Sequence, residues 1–226
     1  MDITIVLSQT SHQGNIGAAA RAMKTMGFSK LSLVEPKSSP DAEAFARATH
    51  AKDLLIDCVK PNLQSALADA ELVLGTTARA RDLALPVIHP KQLQSICKNK
   101  KVAVLFGNER TGLTNEELKY CNQLVHIPSN ADCSSLNLAA AVQIITYELS
   151  QLPIATSKTA DLATSIEMQN FNQHLQHVIE KTEFVDSKSS SRLLLKLQCL
   201  FQRASPLKTE IAIMRGILTS IERHLK

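Results

Sequence analysis

The chain contains no tryptophan, and only 2 tyrosines and 6 phenylalanines occur in its 226 residues. That scarcity argues against an aromatic stacking sheet of the RRM type as a route to RNA. Hydrophobic runs are short as well. The longest, around residues 136–147, is interrupted by polar residues and falls short of the ~20 apolar residues that cross a bilayer. The start Met1-Asp2-Ile3-Thr4 has neither the basic residues nor the apolar core of a secretory signal. A cytoplasmic location with no membrane partner is therefore expected. The 5 cysteines (Cys58, Cys97, Cys121, Cys133 and Cys199) are odd in number and form no CxxC pair, which points to free, mostly buried thiols in a reducing compartment. The 7 histidines pair with no plausible nucleophile and sit at no zinc-finger spacing, so neither a hydrolase triad nor a metal site is expected. Glycine is scarce, and Gly14 and Gly17 are spaced Gly-x-x-Gly. The dinucleotide fingerprint Gly-x-Gly-x-x-Gly is thus missing, which counts against a nicotinamide-dependent oxidoreductase.

What is present is ordinary soluble composition, 44% hydrophobic and 20% charged. The net charge of +4 is unevenly spread, because the last 41 residues hold 8 basic against 3 acidic side chains. A basic end is a pointer to a polyanion, although solvated helix faces carry such charge too. Along the first 150 residues, short apolar runs alternate with helical patterns. Strands are expected at 3–7 (ITIVL), 31–34, 72–75, 102–106 (VAVLF) and 125–127. Helices are expected at 14–26, from Pro40 to about His50, and at 61–70, 91–98, 114–121 and 134–149. Thr114 followed by Glu117 reads as a capping box. Such alternation predicts an α/β fold with a mostly parallel sheet covered on both faces. A small polar stretch at 153–164 reads as a linker between a domain at 1–152 and a helical, basic extension at 165–226. Helices are expected there at 166–184, 191–203 and 207–225.

In an open α/β sheet, ligands gather at the carboxyl ends of the strands. Four loops are placed there: 8–17, 75–81, 107–112 and 129–137. The first holds Gly14, Asn15 and Gly17, with Arg21 interrupting an Ala-rich helix face just beyond. A tight strand-to-helix turn and a snorkelling Arg would look the same. The second, Gly75-Thr76-Thr77-Ala78-Arg79-Ala80-Arg81, offers hydroxyls, backbone amides and two guanidiniums. The third puts Asn108, Glu109 and Arg110 at the tip of the most hydrophobic strand, and the fourth puts Ser134 and Ser135 at a helix entrance, where simple N-capping is an equal explanation.

Three segments taken together, NIGAAARAMKTMGF, FGNERTGLTNEEL and IPSNADCSSLNLAAAVQIITYEL, resemble the three motifs of the SPOUT-class RNA 2′-O-methyltransferases. The likeness is strongest to those that methylate cytidine or uridine riboses in the tRNA anticodon loop. It covers about residues 1–150 and extends more loosely to LLKLQCLFQRA and EIAIMRGILTSIE in the tail. The resemblance implies an α/β fold with a deep C-terminal trefoil knot, a homodimer, S-adenosylmethionine as methyl donor, no metal, and tRNA as substrate, with nucleotide 32 as target. It assigns the donor to Thr76, Thr77, Ala78, Gly107, Ile127, Ser134, Ser135 and Leu136, largely through their backbone. It assigns Arg21 to catalysis at the ribose hydroxyl. Asn15 matches the first motif beside Arg21, and Glu109 and Asn137 match positions that hold the loops together. Close relatives often carry Arg where this chain has Asn108, so different local contacts are expected in that loop.

Transfer of a methyl group from a sulfonium to a ribose oxygen needs alignment and the removal of one proton. A guanidinium is permanently charged and makes a poor base. Arg21 is therefore expected to position the hydroxyl or a neighbouring phosphate and to stabilise developing oxyanion charge. Arg79, Arg81 and the basic tail are candidates for phosphate contacts, which position an RNA without specifying sequence. The competing readings are a methyltransferase acting on ribosomal RNA or another tRNA position, and a non-catalytic RNA binder of the same fold.

Overall fold

The apolar runs at 3–7 and 102–106 become neighbouring central strands of one sheet. In the computed structural model, which describes residues 2–78, 85–130, 132, 135–151, 161–182, 184 and 190–225, the strands are β1 (Asp2–Ser8), β2 (Lys30–Val34), β3 (Val59–Lys60), β4 (Leu72–Thr77), β5 (Val87–Ile88), β6 (Lys101–Phe106) and β7 (Gln123–His126). Their order is β3-β2-β1-β6-β4-β7-β5, and every neighbouring pair is parallel. Ile5 lies opposite Val104 and Leu7 opposite Phe106. Successive side chains of a strand point to opposite faces. Accordingly Ile5, Leu7, Val102, Val104 and Phe106 enter one core, while Val6, Ala103 and Leu105 enter the other. A strand buried on both sides has few polar positions, which is why these two read as nearly continuous apolar runs.

The first core is covered by α1 (Gln13–Thr25), α2 (Ala42–Ala48) and α6 (Leu138–Ser150). Helices α1 and α2 approach so closely that a Cβ on Gly17 would stand 2.1 Å from the Ala44 carbonyl oxygen. The Asp41 carboxylate caps α2 by accepting from the backbone N–H groups of Glu43 (2.9 Å) and Ala44 (3.2 Å). The second core is covered by α3 (Leu63–Leu67), α5 (Asn115–Leu118) and residues of the tail. The expected capping box is present: Thr114 Oγ1 accepts from Glu117 N–H, and Glu117 Oε2 accepts from Thr114 N–H at 2.6 Å. One short helix, α4 (Leu93–Cys97), follows a 3-10 turn at Pro90–Gln92.

The tail consists of α7 (Ser165–Lys181), α8 (Ser190–Ala204) and α9 (Lys208–His224). Met168, Phe171, Val178, Ile211 and Leu218 form a separate small core, with Phe171 and Phe201 edge to face at 4.7 Å. Buried Asn122 pins this tail to the sheet. Its Oδ1 accepts from Val73 N–H (2.7 Å) while its Nδ2 donates to the Gln202 carbonyl (2.8 Å). Ser165 N–H adds a bond to the Ala70 carbonyl at 2.8 Å.

Several boundaries differ from the sequence expectation. Strands β3 and β5 have two residues each and are too short to show a period. The helix expected at 61–70 shrinks to Leu63–Leu67, where the Asn62 side chain caps it. Helix α2 stops at Ala48 because Thr49 adopts φ 50°, and the chain continues as a 3-10 turn to Leu55. The helix expected from 134 begins at Leu138. Among the described residues, Cys58, Cys97, Cys121 and Cys199 are free and buried. Burial pushes the Cys97 thiol up to about 12 and that of Cys121 higher still, so these are packing groups rather than nucleophiles.

Candidate donor cleft and the residues that brace it

Because all seven strands run the same way, the ends of β1, β4, β6 and β7 emerge on one edge of the sheet, and the four loops meet there. Thr76, Thr77, Ala78, Gly107, Ile127, Ser135 and Leu136 line a single cleft at that edge. Of the remaining candidates, Ser134, Arg79 and Arg81 lie outside the described residues. The cleft has two chemical sides. Phe106, Val125, Ile127, Leu136, Leu138 and Ala141 supply an apolar wall, while Thr76, Thr77, Ser135, Glu109, Arg110 and Thr111 supply polar atoms. Such a lining suits a ligand with a flat apolar part and a charged or hydroxylated part.

Gly107 turns the chain from β6 into this cleft. A Cβ there would lie 2.3 Å from both Gly112 C and Leu113 N, so only glycine lets the loop fold back on itself. The loop is closed by Asn108, whose carbonyl accepts from Gly112 N–H (2.8 Å) and whose Oδ1 accepts from Arg110 N–H (2.9 Å). Its Nδ2 donates to the Gln9 carbonyl at 2.6 Å. Asn108 thereby ties the loop after β6 to the loop after β1, the local contact that the sequence left open. On the other side, Thr76 Oγ1 donates to the Leu105 carbonyl at 3.1 Å. His126 Nδ1 stands 3.1 Å from the Thr77 carbonyl, which can only accept, so that nitrogen carries the proton. The tips of β4, β6 and β7 are thus tied side to side.

Glu109, Asn15 and Asn137 do meet. Glu109 Oε1 accepts from Asn15 Nδ2 (3.1 Å) and His12 N–H (3.3 Å), and Oε2 accepts from the backbone N–H and the hydroxyl of Ser11 (both 3.1 Å). Asn15 Oδ1 in turn accepts from Asn137 Nδ2 at 3.0 Å. Partial burial pushes the Glu109 carboxyl up, yet the donors from Asn15 and from the backbone of Glu109, Ser11 and His12 outweigh it. The net effect holds the carboxyl below its ordinary value. The negative charge also lies at the N-terminus of α1, where the helix dipole favours it. Asn137, not Ser135, caps α6, accepting from Ala139 N–H at 2.9 Å. Ser135 is left free to line the cleft.

Arg21 is not brought to the cleft of its own chain. It is exposed on α1, six residues beyond Asn15, about 9 Å along the helix axis. The sequence reading placed Arg110 and Thr111 in the third loop without assigning them to the donor, and it did not assign Phe106, Leu113, Val125, Leu138 or Ala141 to the lining. Leu138 and Ala141 were findable, since their spacing puts them one turn apart on the same face of α6. Among the described residues no group of three or more metal-ligating side chains occurs, and no helix is long and apolar enough to cross a membrane.

Comparison with known proteins gives matches along the chain. Residues 2–147 match the SpoU rRNA Methylase family, and residues 166–226 match the C-terminal domain of tRNA methyltransferase TrmJ. The tRNA (cytidine/uridine-2′-O-)-methyltransferase TrmJ of Sodalis glossinidius is 46% identical over 237 residues, covering 100% of this chain and 93% of that protein. The protein of the same name from Salmonella choleraesuis is 43% identical, covering 100% and 98%. The crystal structure of TrmJ from Z. mobilis superposes with a TM-score of 0.88 at 32% identity, covering 97% of this chain and 98% of the other.

Proposed function

The chain belongs to the SpoU rRNA methylase family, as a full-length relative of the tRNA methyltransferase TrmJ, and on that premise we propose that it methylates the ribose 2′-oxygen of cytidine or uridine at position 32 of the tRNA anticodon loop. The observation that carries this reading is the convergence of Thr76, Thr77, Ala78, Gly107, Ile127, Ser135 and Leu136 on one cleft with an apolar and a polar side. That lining fits S-adenosylmethionine, whose adenine would face the apolar wall and whose ribose and amino-acid part would face the hydroxyls. Ser134 belongs to the same proposed set. When bound, the donor supplies a methyl group already activated on a sulfonium.

This chain's own residues then have three tasks. The braced loops of Glu109, Asn15 and Asn137 hold the cleft rigid, so alignment costs little at the moment of transfer. The dry wall of Leu136, Leu138 and Ala141 keeps water from competing for the methyl group. Arg21 stabilises the negative charge that grows on the 2′-oxygen as its proton leaves. Since Arg21 stands exposed and away from its own cleft, it would act in the cleft of a second copy, which is why the proposed enzyme is a homodimer. The trefoil knot belongs to the same reading. Its support is that β7 lies between β4 and β5 in the sheet although it follows both in the chain, the strand order that a threaded crossover would leave. The proposed division is a catalytic domain at 1–152, a linker at 153–164 and a tRNA-holding extension at 165–226, with Arg79 and Arg81 as further phosphate contacts. A cytoplasmic location follows from a tRNA substrate.

The test is methyl transfer from labelled S-adenosylmethionine to unmodified tRNA transcripts, with the product nucleotide mapped. A 2′-O-methyl at position 32, lost in Arg21→Ala and not restored by Arg21→Lys, is the expected result. Transfer to a different nucleotide would move the substrate, and full single-turnover activity of Arg21→Lys would remove the special role of the guanidinium. Mixing Arg21→Ala subunits with subunits blocked in the donor cleft should restore activity if the two groups come from different copies.

A further inference from the structure

Next to the donor cleft lies an open hollow that shares Asn108, Arg110 and Thr111 with it. Its other walls come from the loop after β1, with His12 at the foot of α1, and from Lys37 in the loop after β2. Among the described residues no acidic side chain is in its lining. Lys37, Arg110 and His12 are all exposed, and among the described residues neither Lys37 nor Arg110 has an ion-pair partner within 4.0 Å. The nearby acids are otherwise engaged. Glu35 accepts from Gln9 Nε2 at 3.4 Å, and Glu109 is saturated by Ser11, His12 and Asn15.

The cations stand on fixed backbone. Gln9 N–H donates to the Val34 carbonyl (2.8 Å) and Lys37 N–H to the Thr10 carbonyl (3.0 Å), which clamps the two loops together. Asn108 holds the third loop to Gln9 and fixes Arg110 N–H in its turn. A site of this kind, with two cations that have no ion-pair partner among the described residues, carried on three mutually bonded loops, matches a phosphate diester. Its shared wall puts it directly beside the donor cleft, the side-by-side arrangement that a ribose and its adjoining backbone phosphate require.

We propose that this hollow is a phosphate seat for the substrate RNA, gripping the backbone next to the methylated ribose through Lys37 and Arg110. The inference rests on the tRNA methyltransferase reading of the neighbouring cleft. It adds positioning residues that serve any sequence, since a phosphate contact carries no base information.

The experiment measures binding of full-length protein to unmodified tRNA across a salt series, with Lys37→Ala and Lys37→Arg beside wild type. Lys37 is exposed and outside the donor cleft, so an unchanged unfolding midpoint checks the fold. Loss of one phosphate contact should weaken binding about five- to ten-fold at low salt and reduce the logarithmic salt slope by about 1, and Lys37→Arg should restore both. A tRNA carrying one neutral methylphosphonate beside the target ribose sharpens the result. Wild type should lose affinity for it, while Lys37→Ala, left with Arg110 alone, should lose clearly less. Parallel salt slopes, or an equal methylphosphonate penalty in both proteins, would overturn the seat. Methyl transfer by wild type is scored separately. Transfer at its target with parallel slopes removes the seat alone, whereas a slope difference without transfer keeps the seat and removes the enzymatic reading.

Discussion

The sheet region and the helical tail are stabilised in different ways. Around the sheet, apolar side chains are almost completely covered on two faces, and backbone approaches backbone closely enough that Gly17 and Gly107 admit no Cβ. The tail has a core of a few residues and leaves Ile213 63% and Ile217 50% exposed. It leans on the sheet through Asn122, Gln202 and Ser165. A region that aligns reacting atoms needs close packing, because interiors at crystal-like density transmit small displacements. A region that grips a long polyanion needs reach and charge more than rigidity, and its stability can be modest.

The strongest way to break this contrast is Gly107→Ala. The new methyl must displace the Gly112 and Leu113 backbone, so a loss of about 3 kcal/mol or more is expected, read by chemical denaturation, together with loss of donor binding. Next comes Asn122→Ala, which leaves Val73 N–H and the Gln202 carbonyl without their partner in a buried place. A cost of about 2–3 kcal/mol is expected, and hydrogen exchange should show protection lost first in α8 while β1 and β6 keep theirs.

Glu109→Ala removes the acceptor at the start of α1 and should cost about 1 kcal/mol, the usual worth of such a cap, with a larger drop in transfer rate because the braced loops separate. The pH dependence has a defined sign. The folded Glu109 carboxyl titrates below the ordinary value of 4.5, so its contribution is fully present above that value and fades as pH falls through the lowered one. In Glu109→Gln this acid limb of the stability curve should flatten. The smallest effect runs the other way. Gly216 sits inside α9 with nothing within 4 Å of a Cβ position, so Gly216→Ala should stabilise the tail by about 0.5–1 kcal/mol, seen as a raised unfolding midpoint. A destabilising result would mean that another surface approaches α9 closely at that residue.

The long elements were legible from the chain alone because burial imposes a period on it. Double-sided burial makes 102–106 in β6 an unbroken apolar run and leaves only Thr4 to interrupt 3–7 in β1, and Thr114 with Glu117 announces α5 by local bonding. Elements β3 and β5 escaped for the opposite reason, since two residues contain no period and their pairing is decided by the strands beside them. At the candidate site, cleft-lining residues such as Gly107, Ile127 and Leu136 were reached by resemblance of motifs and not by pattern. Val125 was passed over because nothing in the order of residues says which side of a buried strand faces a cleft.

Sequence by itself therefore determined the α/β class, the parallel sheet, the helical tail and the four loops that carry polar residues, all properties set by local propensity and burial period. Tertiary structure decided which loops meet. The contact of Glu109 with Asn15 spans 94 residues, that of Asn15 with Asn137 spans 122, and that of Asn122 with Gln202 spans 80. Such pairs leave no periodic trace, because each partner is an ordinary polar residue until the folded sheet brings the other within hydrogen-bond distance.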